Sequence, residues 1–216
     1  MAKTSIRSIL FVLFVIGLSA QTPQDKQKMR ELWNQAFTDP EQTFNRKPNA
    51  FLMKAVEGKT GTALDIGMGQ GRNAIALAKL GWDVTGVDIS NEAVAQALAE
   101  AKKQHVTIHT IVAAVDEVNY GVDRYDLIYA IFENWIATQY ADKYLPALKP
   151  GGLVVIESFQ ADVSKEIGRP LGNGVNELLH VFDRLRIVHY EDTIGPADWN
   201  DGKPSPIVRF IARREK

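Results

Sequence analysis

Residues 62–90 read TALDIGMGQGRNAIALAKLGWDVTGVDIS. Ala63-Leu64-Asp65-Ile66 is a short apolar run that predicts a strand. Three alternating glycines, Gly67, Gly69 and Gly71, then predict a tight turn, because glycine accepts positive φ and lets a ligand approach the backbone. Arg72 to Leu80 predicts a helix with Ala74, Ile75, Leu77 and Ala78 on one face, closed by Gly81. Its free N–H groups would point back at the turn. Asp83 to Asp88, rich in Val and Thr, predicts a second strand ending on an acid 21 residues after Gly67. An acid at that distance reaches ribose hydroxyls in Rossmann-type sites.

The spacing departs from the dinucleotide fingerprint G-x-G-x-x-G. Here it is G-x-G-x-G followed by Arg72-Asn73, and Asp65 stands beside the turn. A carboxylate there repels a pyrophosphate but can orient water or an ammonium group. A nucleoside without phosphates and with a cationic amino-acid tail fits better, and S-adenosylmethionine has that description. In isolation the loop could be a plain strand-to-helix turn, and Asp88 a cap for the helix begun by Ser90-Asn91.

Upstream, Met29, Leu32, Trp33, Ala36 and Phe37 form the stripe of an amphipathic helix over Asp25–Phe37. Residues 38–50 read as loop, and Phe51 to Val56 as a short helix. Downstream come a helix over Asn91–Lys103 with a buried stripe of Ala93, Val94, Ala97, Leu98 and Ala101, and a strand over Val106–Val112. A fourth strand follows over Tyr125–Phe132, then a helix from Asn134 to Tyr144 and a Lys149-Pro150-Gly151-Gly152 turn. A fifth strand runs over Leu153–Ser158. Residues 161–174 read as loop, and Asn176–Phe182 as a helix. Leu185–Glu191 and Ile207–Ala212 lack a crossover helix and should pair antiparallel. The alternation predicts an α/β fold: a Rossmann-like three-layer sandwich with a mostly parallel seven-stranded sheet, an antiparallel C-terminal hairpin and an N-terminal capping helix.

The chain has 216 residues, a formal net charge of −1 and no cysteine. Near-neutral charge argues against a nucleic-acid partner. Without cysteine there are no disulfides, no zinc–thiolate sites and no thiolate nucleophile. Residues 1–20 place Lys3 and Arg7 before an apolar run to Leu18, then Ser19-Ala20. That is the layout of a signal peptide cleaved after Ala20, or of an N-terminal anchor, and no other membrane segment is expected. The expected division is a leader over 1–20, a helical cap over 21–60 and a cofactor-binding domain over 61–216.

The 63–90 segment resembles the first two motifs of class I S-adenosylmethionine-dependent methyltransferases. It is most similar to the small-molecule type related to tellurite-resistance and thiopurine methyltransferases. Trp33-Asn34, Pro48-Asn49-Ala50-Phe51-Leu52 and Leu148-Lys149-Pro150-Gly151-Gly152 carry the likeness further. The resemblance implies S-adenosylmethionine as cofactor. Gly67, Met68 and Gly69 would line its methionine and ribose side, with Gly71 and Ala130 in the same neighbourhood. Asp65 would approach the ammonium group, Asp88 the ribose diol, and Ile89 the adenine. Trp33 and Phe37 would help close the site. The position that often carries an adenine-binding acid falls on Ala114, so either the Val115 backbone reads the adenine or a loop shift brings in Asp116.

Methyl transfer from a sulfonium needs mainly proximity, alignment and exclusion of water. A base is required only where the nucleophile carries a proton. Candidates at the ends of the fourth and fifth strands are Glu133, Trp135 and Glu157, with Asn134 and Phe159 beside them. Arg169 and its glycine neighbours could form a lid. The expected acceptor is a small thiol, metalloid or halide, amine or hydroxyl. The alternatives are a non-catalytic cofactor-binding protein on the same fold, or an NAD-dependent oxidoreductase. The leader points to the periplasm or outside, and the supply of S-adenosylmethionine to the cytoplasm, so localisation stays open.

Overall fold

A computed structural model describes residues 22–133, 135–163, 172–198 and 202–216. The leader 1–20, Asn134 and the Arg169 loop lie outside the described residues, as does the side chain of Trp135.

The described chain begins with helix α1 (Pro23–Thr38), started by a reciprocal cap between Thr22 and Asp25. Helix α2 (Ala50–Ala55) is capped by the buried Asn49, whose side chain accepts from the Leu52 N–H. There follow β1 (Thr62–Ile66), α3 (Arg72–Lys79), β2 (Asp83–Asp88), α4 (Asn91–Lys103), β3 (His109–Val112) and a 3-10 turn at Val115–Glu117. Then come β4 (Tyr125–Ile131), α5 (Trp135–Gln139), α6 (Ala141–Tyr144), β5 (Leu148–Phe159), α7 (Glu177–Val181), β6 (Arg186–Pro196) and β7 (Pro204–Arg213).

The strands form one seven-stranded sheet in the order β3-β2-β1-β4-β5-β7-β6. The pairs from β3 to β5 are parallel, and β7 runs antiparallel to both β5 and β6. This is the doubly wound α/β architecture with an antiparallel C-terminal edge that the sequence predicts. Side chains alternate across it into two cores. One holds Leu64, Ile128, Tyr144, Phe182 and Phe210, and the other Leu52, Leu77, Val84, Leu127 and Tyr129. The strand order reverses at β1, between β2 and β4, and open α/β sheets bind ligands at that switch.

Four local expectations are corrected. Leu98 is 43% exposed rather than part of the α4 stripe. Ala93, Val94, Ala97 and Ala101 fill that face, and position 98 lies a further 100° round from 97. β3 starts at His109 and not Val106, because His105 turns left-handed and the Val106 N–H closes α4 on the Ala101 carbonyl. The helix expected over 134–144 is split at Tyr140. The Tyr144 hydroxyl donates to the Ala137 carbonyl, the acceptor that a continuous helix would offer to the Ala141 N–H. Residues 149–152 belong to β5, which enters the sheet through an irregularity between Tyr125 and Leu127.

Candidate functional site

The glycine turn folds as its composition requires. Gly67, Gly69 and Gly71 have φ of 69°, 55° and 75°, left-handed values that cost other residues strain. The Gly67 and Met68 N–H groups both donate to the Val87 carbonyl at 2.9 and 3.0 Å, which ties the turn to the end of β2. Asp88 closes the arrangement. Its Oδ2 accepts from the Gly69 N–H at 2.7 Å and its Oδ1 from the Ser90 N–H at 2.8 Å. Burial pushes the Asp88 carboxyl up to about 6, against the pull of the Ser90, Gly69 and Ile89 backbone N–H groups.

Above this turn lies a cleft of about 870 Å³, open mouth included. Gly67 and Gly69 form its floor, Val87, Asp88 and Ile89 the β2 side, and Ala113 to Asp116 the next wall. Phe132, Glu133, Ile136 and Tyr140 come from the end of β4 and from α5. Helix α1 covers it with Met29, Trp33 and Phe37, one residue per four along one face. Trp33 and Phe37 stack at 5.7 Å. The helix is held there by Asn34, which meets Asn91 and Ser90 on α4, and by Lys26, which pairs with Asp116 at 2.6 Å and Glu117 at 3.2 Å.

Three carboxylates face this cleft: Asp88, Asp116 and Glu133. No Lys or Arg among the described residues lines it. Lys26 bonds the outer oxygen of Asp116, while Asp116 Oδ1 is buried without a partner. The Tyr140 hydroxyl is likewise buried without a partner. Glu133 folds across the turn, so that a Cβ at Gly67 would overlap its carboxyl carbon. Burial raises the Glu133 carboxyl well above the ordinary range, and the negative charges of Asp88 and Asp65 add to the effect. The site therefore holds three carboxyl groups against aromatic walls, and among the described residues only Asp116 is paired with a cation.

The structure brings Trp33, Gly67, Gly69, Asp88, Ile89, Ala114, Val115, Asp116 and Glu133 to the cleft, with Phe37. The 3-10 turn places Val115 and Asp116 together on the wall, beside Ala114. Five residues picked out in the sequence lie elsewhere. Asp65 is 3% exposed beneath the turn, bonded by the Tyr129 hydroxyl at 2.9 Å. Met68 turns its thioether down over Gly86, where any Cβ would overlap it. Gly71 is the N-cap of α3 and packs on α4, with its would-be Cβ 2.9 Å from Ala97. Ala130 is buried in the core.

Glu157 is 1% exposed and faces β7, where it lies in register with Arg209 and accepts from its Nε at 2.8 Å. Asn49 donates to its other oxygen. A buried carboxylate matched this way serves the sheet rather than the cleft. Trp135 opens α5, but its side chain is outside the described residues. The sequence reading missed Met29, Val87, Ala113, Phe132, Ile136 and Tyr140. Met29 was legible as the residue one turn before Trp33 on the same stripe. The others depend on how separate elements meet.

A parallel sheet with a glycine turn at its switch point, an acid closing β2 and a helix over the mouth is a Rossmann-like arrangement suited to a nucleoside-containing ligand. Comparison with known proteins agrees. Residues 63–152 match the model of the methyltransferase domain family. That match runs from β1 into β5. The chain is 25% identical over 168 residues to the malonyl-[acyl-carrier protein] O-methyltransferase of Enterobacter lignolyticus (strain SCF1), covering 73% of this chain and 63% of that one. The chain thus spans less than two thirds of that relative's length. Among solved structures it superposes on the N-methyltransferase NodS of Bradyrhizobium japonicum WM9, in complex with S-adenosyl-L-homocysteine, with a TM-score of 0.67. The identity is 16%, over 87% of this chain and 98% of that one. It also superposes on TehB of Haemophilus influenzae with a TM-score of 0.61 and 22% identity, over 76% and 60%. These two likenesses show the fold.

Proposed function

We propose that this chain is an S-adenosylmethionine-dependent methyltransferase acting on a small nucleophile. The observation that carries the reading is the cleft at the β-strand switch point, apolar and aromatic on its walls, with three carboxyl groups and no Lys or Arg in its lining among the described residues. S-adenosylmethionine supplies what such a site lacks: a sulfonium, an ammonium group, a ribose diol and an adenine.

The residues present fit that group. Asp88 keeps lone pairs free for a diol while the Gly69 and Ser90 N–H groups hold its orientation. Val87, Ile89, Ala114 and Val115 offer an apolar slot to a flat base, and the partnerless Asp116 Oδ1 offers an acceptor to an exocyclic amine. Gly69 leaves room above the turn for the amino-acid tail, while the space over Gly67 is taken by the Glu133 carboxyl. Asp65 acts beneath it, by holding the β1–β4 junction through Tyr129.

When bound, the cofactor supplies a methyl group on a sulfonium, an intrinsically good leaving group. The chain's own part is to align the acceptor for in-line attack and to keep water out with Trp33, Phe37 and Phe132. Isothermal titration with S-adenosylmethionine tests the first half. An S-adenosylhomocysteine-release assay across thiols, halides, metalloid oxyanions, amines and hydroxyl compounds tests the second. We also propose that residues 1–20 are a cleaved leader. Mass spectrometry of the protein from its native host should then find a chain beginning at Gln21, and an intact Met1 would refute it.

A further inference from the structure

We infer that the methyl acceptor is a small aromatic or alkyl amine, and that Glu133 receives the proton the amine sheds. The inference rests on the methyltransferase reading and narrows it. The cleft's side chains are Asp88, Asp116 and Glu133, the rings of Trp33, Phe37, Phe132 and Tyr140, and aliphatic residues. Lys26 is engaged by Asp116 and Glu117 behind the wall, and no other Lys or Arg among the described residues reaches the cleft.

A metalloid oxyanion, a halide or a carboxylate would have to enter beside three carboxyl groups with no cation in the lining to meet it, since Lys26 is taken up by Asp116 and Glu117. An amine meets the opposite conditions. Its ammonium form is attracted by the carboxylates and by aromatic faces. The buried, partnerless Tyr140 hydroxyl lies in the same cleft and can accept an N–H.

Glu133 is the carboxylate placed for the chemistry. It follows β4 directly and is carried over the glycine turn by Phe132, whose φ of 60° is left-handed. Its carboxyl carbon occupies the space above Gly67. Asp88 is committed to two backbone N–H groups and Asp116 to Lys26, whereas no cation among the described residues pairs with Glu133. In the step, the bound ammonium first gives a proton to the Glu133 carboxylate, which frees the nitrogen lone pair. The lone pair then forms the N–C bond as the C–S bond breaks, the C–S electron pair stays on sulfur as a neutral thioether, and the product leaves as the methylated ammonium ion.

The test has two arms. Titration of 2-phenylethylamine and its anionic counterpart phenylacetate into the donor-free protein, read by tryptophan fluorescence, should favour the amine by at least about tenfold; equal or reversed affinities overturn the inference. In the release assay with saturating S-adenosylmethionine, amines should exceed iodide, tellurite, phenylacetate and 2-phenylethanethiol. Release that is faster with any of those, or cofactor binding with no amine turned over, overturns it. Glu133→Gln should lower kcat about 100-fold with an unchanged Kd for S-adenosylhomocysteine, and Glu133→Asp should recover part of the rate. A weaker Kd with kcat intact makes Glu133 a cofactor contact and refutes its assigned role. Failure of S-adenosylmethionine to bind at all instead refutes the methyltransferase reading beneath it.

Discussion

Tyr129 donates its hydroxyl to Oδ2 of Asp65 at 2.9 Å, across the register pair that joins β4 to β1. The two residues share a row of the sheet with Gly86 on one side and Val155 on the other. Met68 fills the space over Gly86. An acid is thereby sealed directly under the glycine turn. Burial pushes its carboxyl up to about 8; the Tyr129 hydrogen bond opposes the rise and the Asp88 charge adds to it.

That relationship has a pH signature. The folded-state value lies above the ordinary 3.8, so the folded chain holds a proton that the unfolded chain releases. The stability contributed by neutral Asp65 is complete below about pH 4 and is lost as pH rises toward about 8. Asp65→Asn keeps an acceptor for Tyr129 and removes the ionisation. Its melting temperature should match the wild type near pH 4 and exceed it at pH 8, by about 2–4 °C per kcal/mol recovered. Differential scanning fluorimetry across that range checks this, and a gap that narrows as pH rises would contradict it.

Asp88 should dominate cofactor affinity. Asp88→Asn replaces one acceptor oxygen by a donor, set against the Gly69 or Ser90 N–H. Hydrogen bonds to charged groups contribute about 1.5–3 kcal/mol, so the Kd for S-adenosylmethionine should weaken by about 10- to 100-fold. Calorimetry measures this directly, with circular dichroism to confirm the fold.

Cofactor affinity should also rise with pH. In the free protein burial holds the Asp88 carboxyl up to about 6. A diol accepted by Asp88 favours the ionised form. The Kd should therefore be weak at pH 5, tighten through pH 6 and level off above it. The Asp88 carboxylate can contribute at most about tenfold per pH unit. A flat profile between pH 5 and 8 would mean that Asp88 does not face the bound cofactor.

Gly67 permits no side chain. Its φ is 69°, and a Cβ there would overlap the Glu133 carboxyl. Gly67→Ala should cost about 1–3 kcal/mol in stability and abolish measurable binding, while Gly58→Ala, also left-handed but in open space, should cost stability without affecting the cofactor. Urea denaturation and calorimetry on both variants separate strain from loss of the site.

The glycine turn, Asp88 and the α1 stripe are legible in the sequence because each is a local pattern: spacing within one turn, one strand end, one helix face. The sheet follows from the alternation of elements. What could not be read depends on register and tertiary contact. Glu157 sits at a strand end, as catalytic acids do, yet its neighbour in the sheet is Arg209, 52 residues away. Met68 stands between two cleft-lining glycines, yet the absence of a side chain at Gly86 lets it turn inward. Phe132 and Tyr140 reach the cleft only because β4 ends in a left-handed residue and the following helix breaks.

The most direct measurement is calorimetric titration of the purified chain with S-adenosylmethionine, S-adenosylhomocysteine and NAD in parallel. Saturable one-site binding of the first two at micromolar concentrations, weakened about 10- to 100-fold in Asp88→Asn, with no heat from NAD, is the predicted result. A folded protein that ignores both S-adenosyl compounds at millimolar concentration, or that binds NAD in their place, would contradict it.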